Sequence, residues 1–340
     1  MDHEPVYQCF SFQSHTGEGM IQARLYRSVV STGHPGPADR RESFPLIQIF
    51  HGMAEHMDRY DSFCQYLAKQ GNAVCIHDQA GHGRTASDAS HLGYFGPEDG
   101  AERILDDVQE AADQARELLR QDESPLTCEG WILFGHSMGS FIARLFCSRP
   151  DTKLTGTIFS GTAGPNPAFG LGLFLARISL RLHGPLYHDP FLGNLVSAGN
   201  LKRLKASRTP FDWLTRDEKI VDAYCADPWC GFLFTTAGYR DLFTWMVRMS
   251  RPNWAGSLPA DLKILLVSGE EDPIGSYGKG PRIVRKNLLA CGHQAQLRLY
   301  AGGRHEMINE INRCEVWQDL ADWIGRLAAA PDAAGRGRTR

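Results

Sequence analysis

The chain has 340 residues, 42% of them hydrophobic and 22% charged, which is globular usage; it excludes a fibrous or disordered class and accommodates one large domain with an insertion, or two domains. A formal net charge of -3 offers no electrostatic basis for a nucleic-acid partner. Nine cysteines are scattered without a CxxC pair or a His/Cys cluster at metal-ligand spacing, so free, mostly buried thiols in a reducing compartment are expected, and no metal or cofactor.

The N-terminus, Met1-Asp2-His3-Glu4-Pro5, is acidic and lacks the basic-then-apolar order of an export signal. Val6 to Phe12 and Met20 to Val29 are β-rich runs separated by His15-Thr16-Gly17-Glu18-Gly19, a hairpin pattern. Ser31 to Ser43 reads as a polar surface loop. Pro45 to Phe50 is a buried strand running into His51-Gly52-Met53-Ala54-Glu55-His56. Asp58 to Gln70 has helical spacing, Asn72 to His77 is a further strand, and Gly100 to Gln121 is an amphipathic helix with Ile104, Val108, Ala111, Ala115 and Leu118 on one stripe. Trp131 to Phe134 is a strand, Phe141 to Phe146 a helix, and Gly156 to Ser160 a strand. Such alternation implies an α/β fold with a largely parallel sheet covered on both faces, and ligand sites at the carboxyl ends of the strands.

The alternation stops at Pro165. As far as Gly256 the pattern is helical, broken by His-Gly-Pro, Asp-Pro and Arg-Pro, and reads as an inserted helical cap. It carries 11 Lys and Arg against 7 Asp and Glu, net +4, leaving -7 for the rest. Phe169 to Leu182 is its most apolar stretch, too short for a membrane span and interrupted by Arg177 and Arg181. A cytoplasmic protein is expected. Strands resume at Lys263 to Val267 and Gln296 to Tyr300, with a helix over Pro281 to Ala290 and another over Glu306 to Leu327. The organisation is thus a first core part (1–164), a cap (165–256), a second core part (257–327) and a disordered tail (328–340).

Between the fifth strand and its helix lies Gly135-His136-Ser137-Met138-Gly139. A turn sharp enough to present Ser137 at its apex leaves no room for β-carbons two residues either side, which is why glycine stands at both places. An alcohol is a poor nucleophile at neutral pH and needs a base, and the base needs an acid to fix its tautomer. Asp272 follows one strand and His305 another, so both fall on loops at the edge where Ser137 emerges. Glu270 and Glu271 are alternatives for the acid, and His293, which precedes its strand, is the weaker base. The oxyanion formed on attack requires two backbone donors, expected from the amides of Met138 and Met53. Glu55 and Arg59, one helical turn apart, are expected to pair with each other. His82, in a Gly-flanked turn, is expected to act as a hydrogen-bonding brace.

His51-Gly-Met-Ala-Glu-His-Met-Asp-Arg-Tyr60, Asp78-Gln-Ala-Gly-His-Gly-Arg-Thr85, Gly135-His-Ser-Met-Gly139, Ser268-Gly-Glu-Glu-Asp-Pro273 and Gly303-Arg-His305 together resemble the monoacylglycerol lipase and lysophospholipase group of α/β-hydrolases, the serine aminopeptidase S33 type. The resemblance spans about residues 6 to 327 and is weak through the cap. It implies the α/β-hydrolase fold, a Ser137-Asp272-His305 triad, an oxyanion hole from Met53 and Met138, and a helical lid over an acyl-binding tunnel. It also places Glu55, His56 and Arg59 at the polar end of the site, shaping the alcohol pocket. Ser140 departs from the third Gly usual in the elbow, and Thr85 from the usual Ser.

The expected function is hydrolysis of a single-chain lipid ester, a monoacylglycerol or lysophospholipid, through an acyl-enzyme on Ser137. In the cap, Phe169, Leu173, Phe174 and Ile178 form a stripe with two readings, ordinary packing or an acyl-binding wall. Alternatives are an aminopeptidase or amidase, against which a basic cap argues because a cationic α-amino group calls for carboxylates, and a ligand-binding receptor on a hydrolase scaffold. A basic, apolar cap also suits peripheral contact with an anionic membrane.

Overall fold

Each apolar run read as a strand becomes one in the computed structural model, which describes residues 6–27, 43–121, 127–150, 152–204 and 206–328. Strands β1 (Val6–Gln13) and β2 (Met20–Arg27) form the expected hairpin, paired antiparallel from Val6 opposite Arg27 to Gln13 opposite Met20. The chain then alternates through β3 (Ser43–Phe50), α1 (Asp61–Lys69), β4 (Ala73–His77), α2 (Gly100–Arg120), β5 (Thr127–His136), α3 (Met138–Phe146) and β6 (Gly156–Ser160). Before β7 (Lys263–Gly269) come four helices, α4 (Ala168–His183), α5 (Pro190–Ser197), α6 (Glu218–Ala226) and α7 (Thr236–Met249). Helix α8 (Lys279–Ala290), β8 (Gln294–Tyr300) and α9 (Arg313–Ala328) complete the chain.

The eight strands lie in the order β1-β2-β4-β3-β5-β6-β7-β8. Strand β2 meets β4 antiparallel, and every pairing from β4 to β8 is parallel. Successive side chains of a strand point to opposite faces, so a doubly covered strand must be apolar on both. Thus Leu46 and Phe50 of β3 join one buried cluster with α2, α3 and α7, while Ile47 and Ile49 join the other with α1 and α9. The expected stripe on α2 is buried at Ile104, Val108, Ala111 and Ala115. Removing Ile104 and Val108 from water contributes about 2 kcal/mol each.

Helix boundaries shifted more than strands. Asp58 lies not in a helix but in a 3-10 turn (Met57–Tyr60), because the Asp78 carboxylate takes the Met57 amide at 2.7 Å and tightens the chain ahead of α1. The last helix begins at Arg313 rather than Glu306. Glu306 donates its amide to Leu214 O at 2.7 Å, and a short 3-10 turn (Met307–Asn309) follows it. Ser28 and Val29, the polar loop up to residue 42, and the expected tail apart from Ala328 lie outside the described residues. All nine cysteines are free, but only Cys64, Cys75 and Cys147 are buried, whereas Cys9, Cys225, Cys291 and Cys314 are exposed, which corrects the expectation of mostly buried thiols. Among the described residues no helix is long and apolar enough to cross a membrane.

Candidate active site

Strand β5 ends centrally in the sheet, and the chain reverses at Ser137 into α3. Ser137 has φ +52° and ψ -119°, a region that costs a side-chain-bearing residue about 1–3 kcal/mol and persists only where the surroundings impose it. Those surroundings are visible. The Ser137 amide donates to Ser160 O at 2.9 Å, and a β-carbon on Gly139 would lie 2.2 Å from Phe50 O. At Gly135 a β-carbon would lie 2.4 Å from Gly139 O. Ser140, where a third Gly is usual, donates its hydroxyl to Ser137 O at 2.5 Å and so reinforces the turn.

Asp272, fully buried beyond β7, and His305, buried beyond β8, meet at 2.9 Å between Oδ1 and Nδ1. The carboxylate can only accept, so the imidazole proton sits on Nδ1 and Nε2 keeps its lone pair. Asp272 is itself aimed by the Ile274 amide at 2.9 Å and by the Ser268 hydroxyl at 3.2 Å. His305 Nε2 has no hydrogen-bond partner among the described residues, and it shares one cavity with Ser137. Burial opposes the charged imidazolium, but the carboxylate of Asp272, joined by those of Glu306 and Glu55, outweighs it and raises the pKa above the ordinary histidine value. The adjacent His136 ring, 4.7 Å away between centroids, is pushed the other way, to about 3, by burial and then by His305, and stays neutral. Trp213, in the segment between β6 and β7, lies with its ring 5.0 Å from that of His305. His293 instead donates from Nε2 to Ala255 O, 2.7 Å away, and is not in the cavity lining.

Met53 and Met138 both line this cavity. Neither amide is tied to another described residue, whereas the amides on either side of Met53 are. Gly52 donates to Glu55 Oε1 at 2.5 Å, and Ala54, at φ +52°, donates to His82 Nε2 at 3.3 Å. His82 in turn meets Ala80 O through Nδ1 at 3.0 Å, the brace expected of it, and burial holds its pKa well below the ordinary value. Thr85, in place of Ser, still uses its hydroxyl, donating to Asp78 O at 2.7 Å and accepting from the Gln22 amide at 3.0 Å.

Glu55 and Arg59 pair as expected, but Arg59 has a second partner that sequence spacing did not reveal. Its guanidinium forks onto Glu306 at 2.8 and 2.6 Å and lies 4.7 Å from the centroid of the Tyr224 ring. Glu306, next to His305, is held down to about 2: burial resists the charge, but Arg59 more than compensates. His56, the third residue expected at the polar end, is buried but does not line this cavity; it binds Asp227 through Nε2 at 2.9 Å. Adjacency of Glu306 to the base was the available sequence signal; Tyr224 and Trp213 had none.

The cavity measures about 540 Å³. Its floor carries Ser137, His305 and the two methionines, and much of its wall comes from the segment between β6 and β7, including Phe169, Val196, Phe232, Phe243 and Met246. The expected stripe divides. Phe169 lines the cavity, Leu173 packs against the core, and Phe174 and Ile178 face solvent at 59% and 41% exposure.

A mostly parallel doubly covered sheet with a strained Ser at the strand-to-helix turn, and a buried His-Asp pair beyond later strands, defines the class: an α/β-hydrolase. The profile of the family described as serine aminopeptidase, S33, matches residues 41–312, and the chain belongs to that family. Its relatives include a monoacylglycerol lipase of Mycolicibacterium smegmatis, 26% identical over 82% of this chain and 87% of that one. Human monoglyceride lipase is 25% identical over 85% of each chain. A thermostable carboxyl esterase from Bacillus coagulans, solved in complex with glycerol, superposes with a TM-score of 0.83 at 27% identity over 95% of this chain and 99% of that one. With lipase and esterase relatives of this kind, the chain is a carboxylic-ester hydrolase.

Proposed function

We propose that the chain hydrolyses esters of single-chain lipids, a monoacylglycerol or lysophospholipid, through an acyl-enzyme on Ser137. The observation that carries this reading is the 540 Å³ cavity, walled mostly by apolar side chains of residues 165–256 with a few polar ones, Asn166, Asn194, Ser197 and Asn200, among them, above a floor holding Ser137 and His305. Ser137 Oγ attacks the ester carbonyl as His305 Nε2 takes its proton, Asp272 stabilises the imidazolium, and the amides of Met53 and Met138 receive the oxyanion. His305 then returns the proton to the leaving alcohol, and water repeats the sequence to release the fatty acid. Residues 165–256 act as a lid domain over core parts 1–164 and 257–327. Glu55 and Arg59 shape the alcohol end, with His56 supporting them from behind. An aminopeptidase reading is disfavoured because Glu55 and Glu306 are already bound to Arg59, which leaves no free carboxylate for an α-amino group among the described residues lining the cavity.

Fluorophosphonate labelling should mark the wild type and vanish in Ser137→Ala, and an acyl-chain series on glycerol esters should show turnover depending on chain length. Faster release of aminoacyl arylamides than of esters would reverse the assignment. The lid also presents a lipid-facing surface: Phe174, Ile178 and Leu182 project from one side of α4 at 59%, 41% and 72% exposure, beside Arg177 and Arg181, with Leu171, which also lines the cavity, 60% exposed next to them. Apolar and cationic side chains together fit an anionic bilayer surface, where substrate of this kind resides.

A further inference from the structure

On the side of His56 away from the cavity, the fold gathers three donors that lie far apart in sequence. His56 follows β3, while Asp227 and Cys230 stand on the turn between α6 and α7; one ligand atom from each lies within 4.8 Å of the other two. His56 and Asp227 are 171 positions apart, which is why no metal-ligand spacing appears in the sequence. We propose that His56 Nε2, Asp227 Oδ2 and Cys230 Sγ form a site for one zinc ion, joining the loop after β3 to the insertion.

Imidazole, carboxylate and thiolate are the donor types zinc accepts, and three protein ligands leave the fourth tetrahedral position for water. The state of His56 supplies the second argument. It is 4% exposed, and with Nε2 engaged by Asp227 its Nδ1 is buried without a hydrogen-bond partner. Asp58 Oδ2 lies 3.7 Å from that Nδ1. Metal on Nε2 requires the proton to sit on Nδ1, the side of the ring that faces the Asp58 carboxylate, a nearby charge of the kind that orients a ligating imidazole. Ligation therefore gives a use to the one polar atom of this histidine that the metal-free arrangement strands. A groove of about 410 Å³ reaches two of the three donors, His56 and Asp227, beside Asp58 and Trp229.

Charge and proton balance are simple. Zinc replaces the thiol proton of Cys230, which leaves to solvent, and the His56 proton moves from Nε2 to Nδ1. Because the thiol must lose its proton to ligate, binding weakens as pH falls. The same turn touches the loop that carries Met53, since the Gly231 amide donates to Ala54 O at 2.9 Å. A bound ion thus holds insertion and core together at the polar end.

The test uses the full-length protein, stripped with chelator and titrated with zinc by calorimetry and with cobalt by absorbance. One equivalent of zinc should bind and raise the Tm, and cobalt should give a thiolate-to-metal charge-transfer band in the near ultraviolet. Cys230→Ser should abolish that band and weaken zinc by more than about tenfold, as should Asp227→Asn, while Cys225→Ser, which alters an exposed thiol outside the cluster, should change neither. Absence of stoichiometric binding, or affinity and cobalt spectrum unchanged in Cys230→Ser, would overturn the proposal. Neither result bears on the proposed acyl transfer, which is read by labelling of Ser137.

Discussion

His305 faces the carboxylates of Asp272 and Glu306, with Glu55 beyond, and each favours its protonated form. As the proposed base it must be neutral to act, so kcat/KM should rise with pH through a value above the ordinary histidine figure of about 6.5. Glu306→Gln removes one of those charges, and the acid limb should move down by on the order of half a pH unit; an unmoved limb in a folded variant would deny Glu306 this influence. The same residue governs acid stability. Its folded pKa, about 2, lies below the ordinary 4.5, so its stabilising contribution is complete above 4.5 and is lost as pH falls toward 2. Stripping Arg59 of this partner should cost about 3 kcal/mol, and a urea series of wild type and Glu306→Gln should converge at low pH. That Ser137, Asp272 and His305 would come together was legible in the sequence, because each follows a strand in a turn whose residue types have a chemical reason. The role of Glu306 was not, because the Arg59 that confers it lies 247 positions earlier.

Strands were the most legible elements, since a parallel strand buried on both faces is an uninterrupted apolar run. Helix starts were less so, because side chains from elsewhere decide them: Asp78 delays α1, and the hold of Leu214 and Arg59 on Glu306 delays α9. On α4 the apolar spacing announced a helix but not which side met the cavity, since the exposed side is as apolar as the buried one. The elbow makes a sharper demand on its elements. Helix α3 reaches β3 so closely at Gly139 that Gly139→Ala would drive a methyl into Phe50 O and His51 O. Separating them should cost about 3 kcal/mol or more and displace the loop bearing Met53. A fall in both Tm and fluorophosphonate labelling is expected, whereas Ser140→Gly, which restores the usual glycine, should label like wild type. Full labelling in a stable Gly139→Ala would show that the contact is not needed.

Across the whole molecule the segment between β6 and β7 is held unevenly along its length. Its middle is bolted to the loop of His305: Glu310 takes the Arg216 amide at 3.1 Å and guanidinium at 3.0 Å, and the Arg304 guanidinium donates to Thr215 O at 2.9 Å. Its earlier part turns the apolar side of α4 outward. If that side meets lipid, Phe174→Glu with Leu182→Glu should lower partitioning to anionic vesicles by about tenfold or more and leave turnover of a short, water-soluble ester intact. Equal partitioning of wild type to neutral and anionic vesicles across salt concentrations would remove the electrostatic part of this reading. The order of strands has a consequence in time as well as in space. Ser137 closes the fifth strand, but Asp272 and His305 follow the seventh and eighth. A chain still being synthesised therefore carries its proposed nucleophile for more than a hundred residues without acid or base, and the insertion is complete before either emerges. Nascent chains should stay inert toward cellular esters until β8 has left the ribosome and docked at the far edge of the sheet.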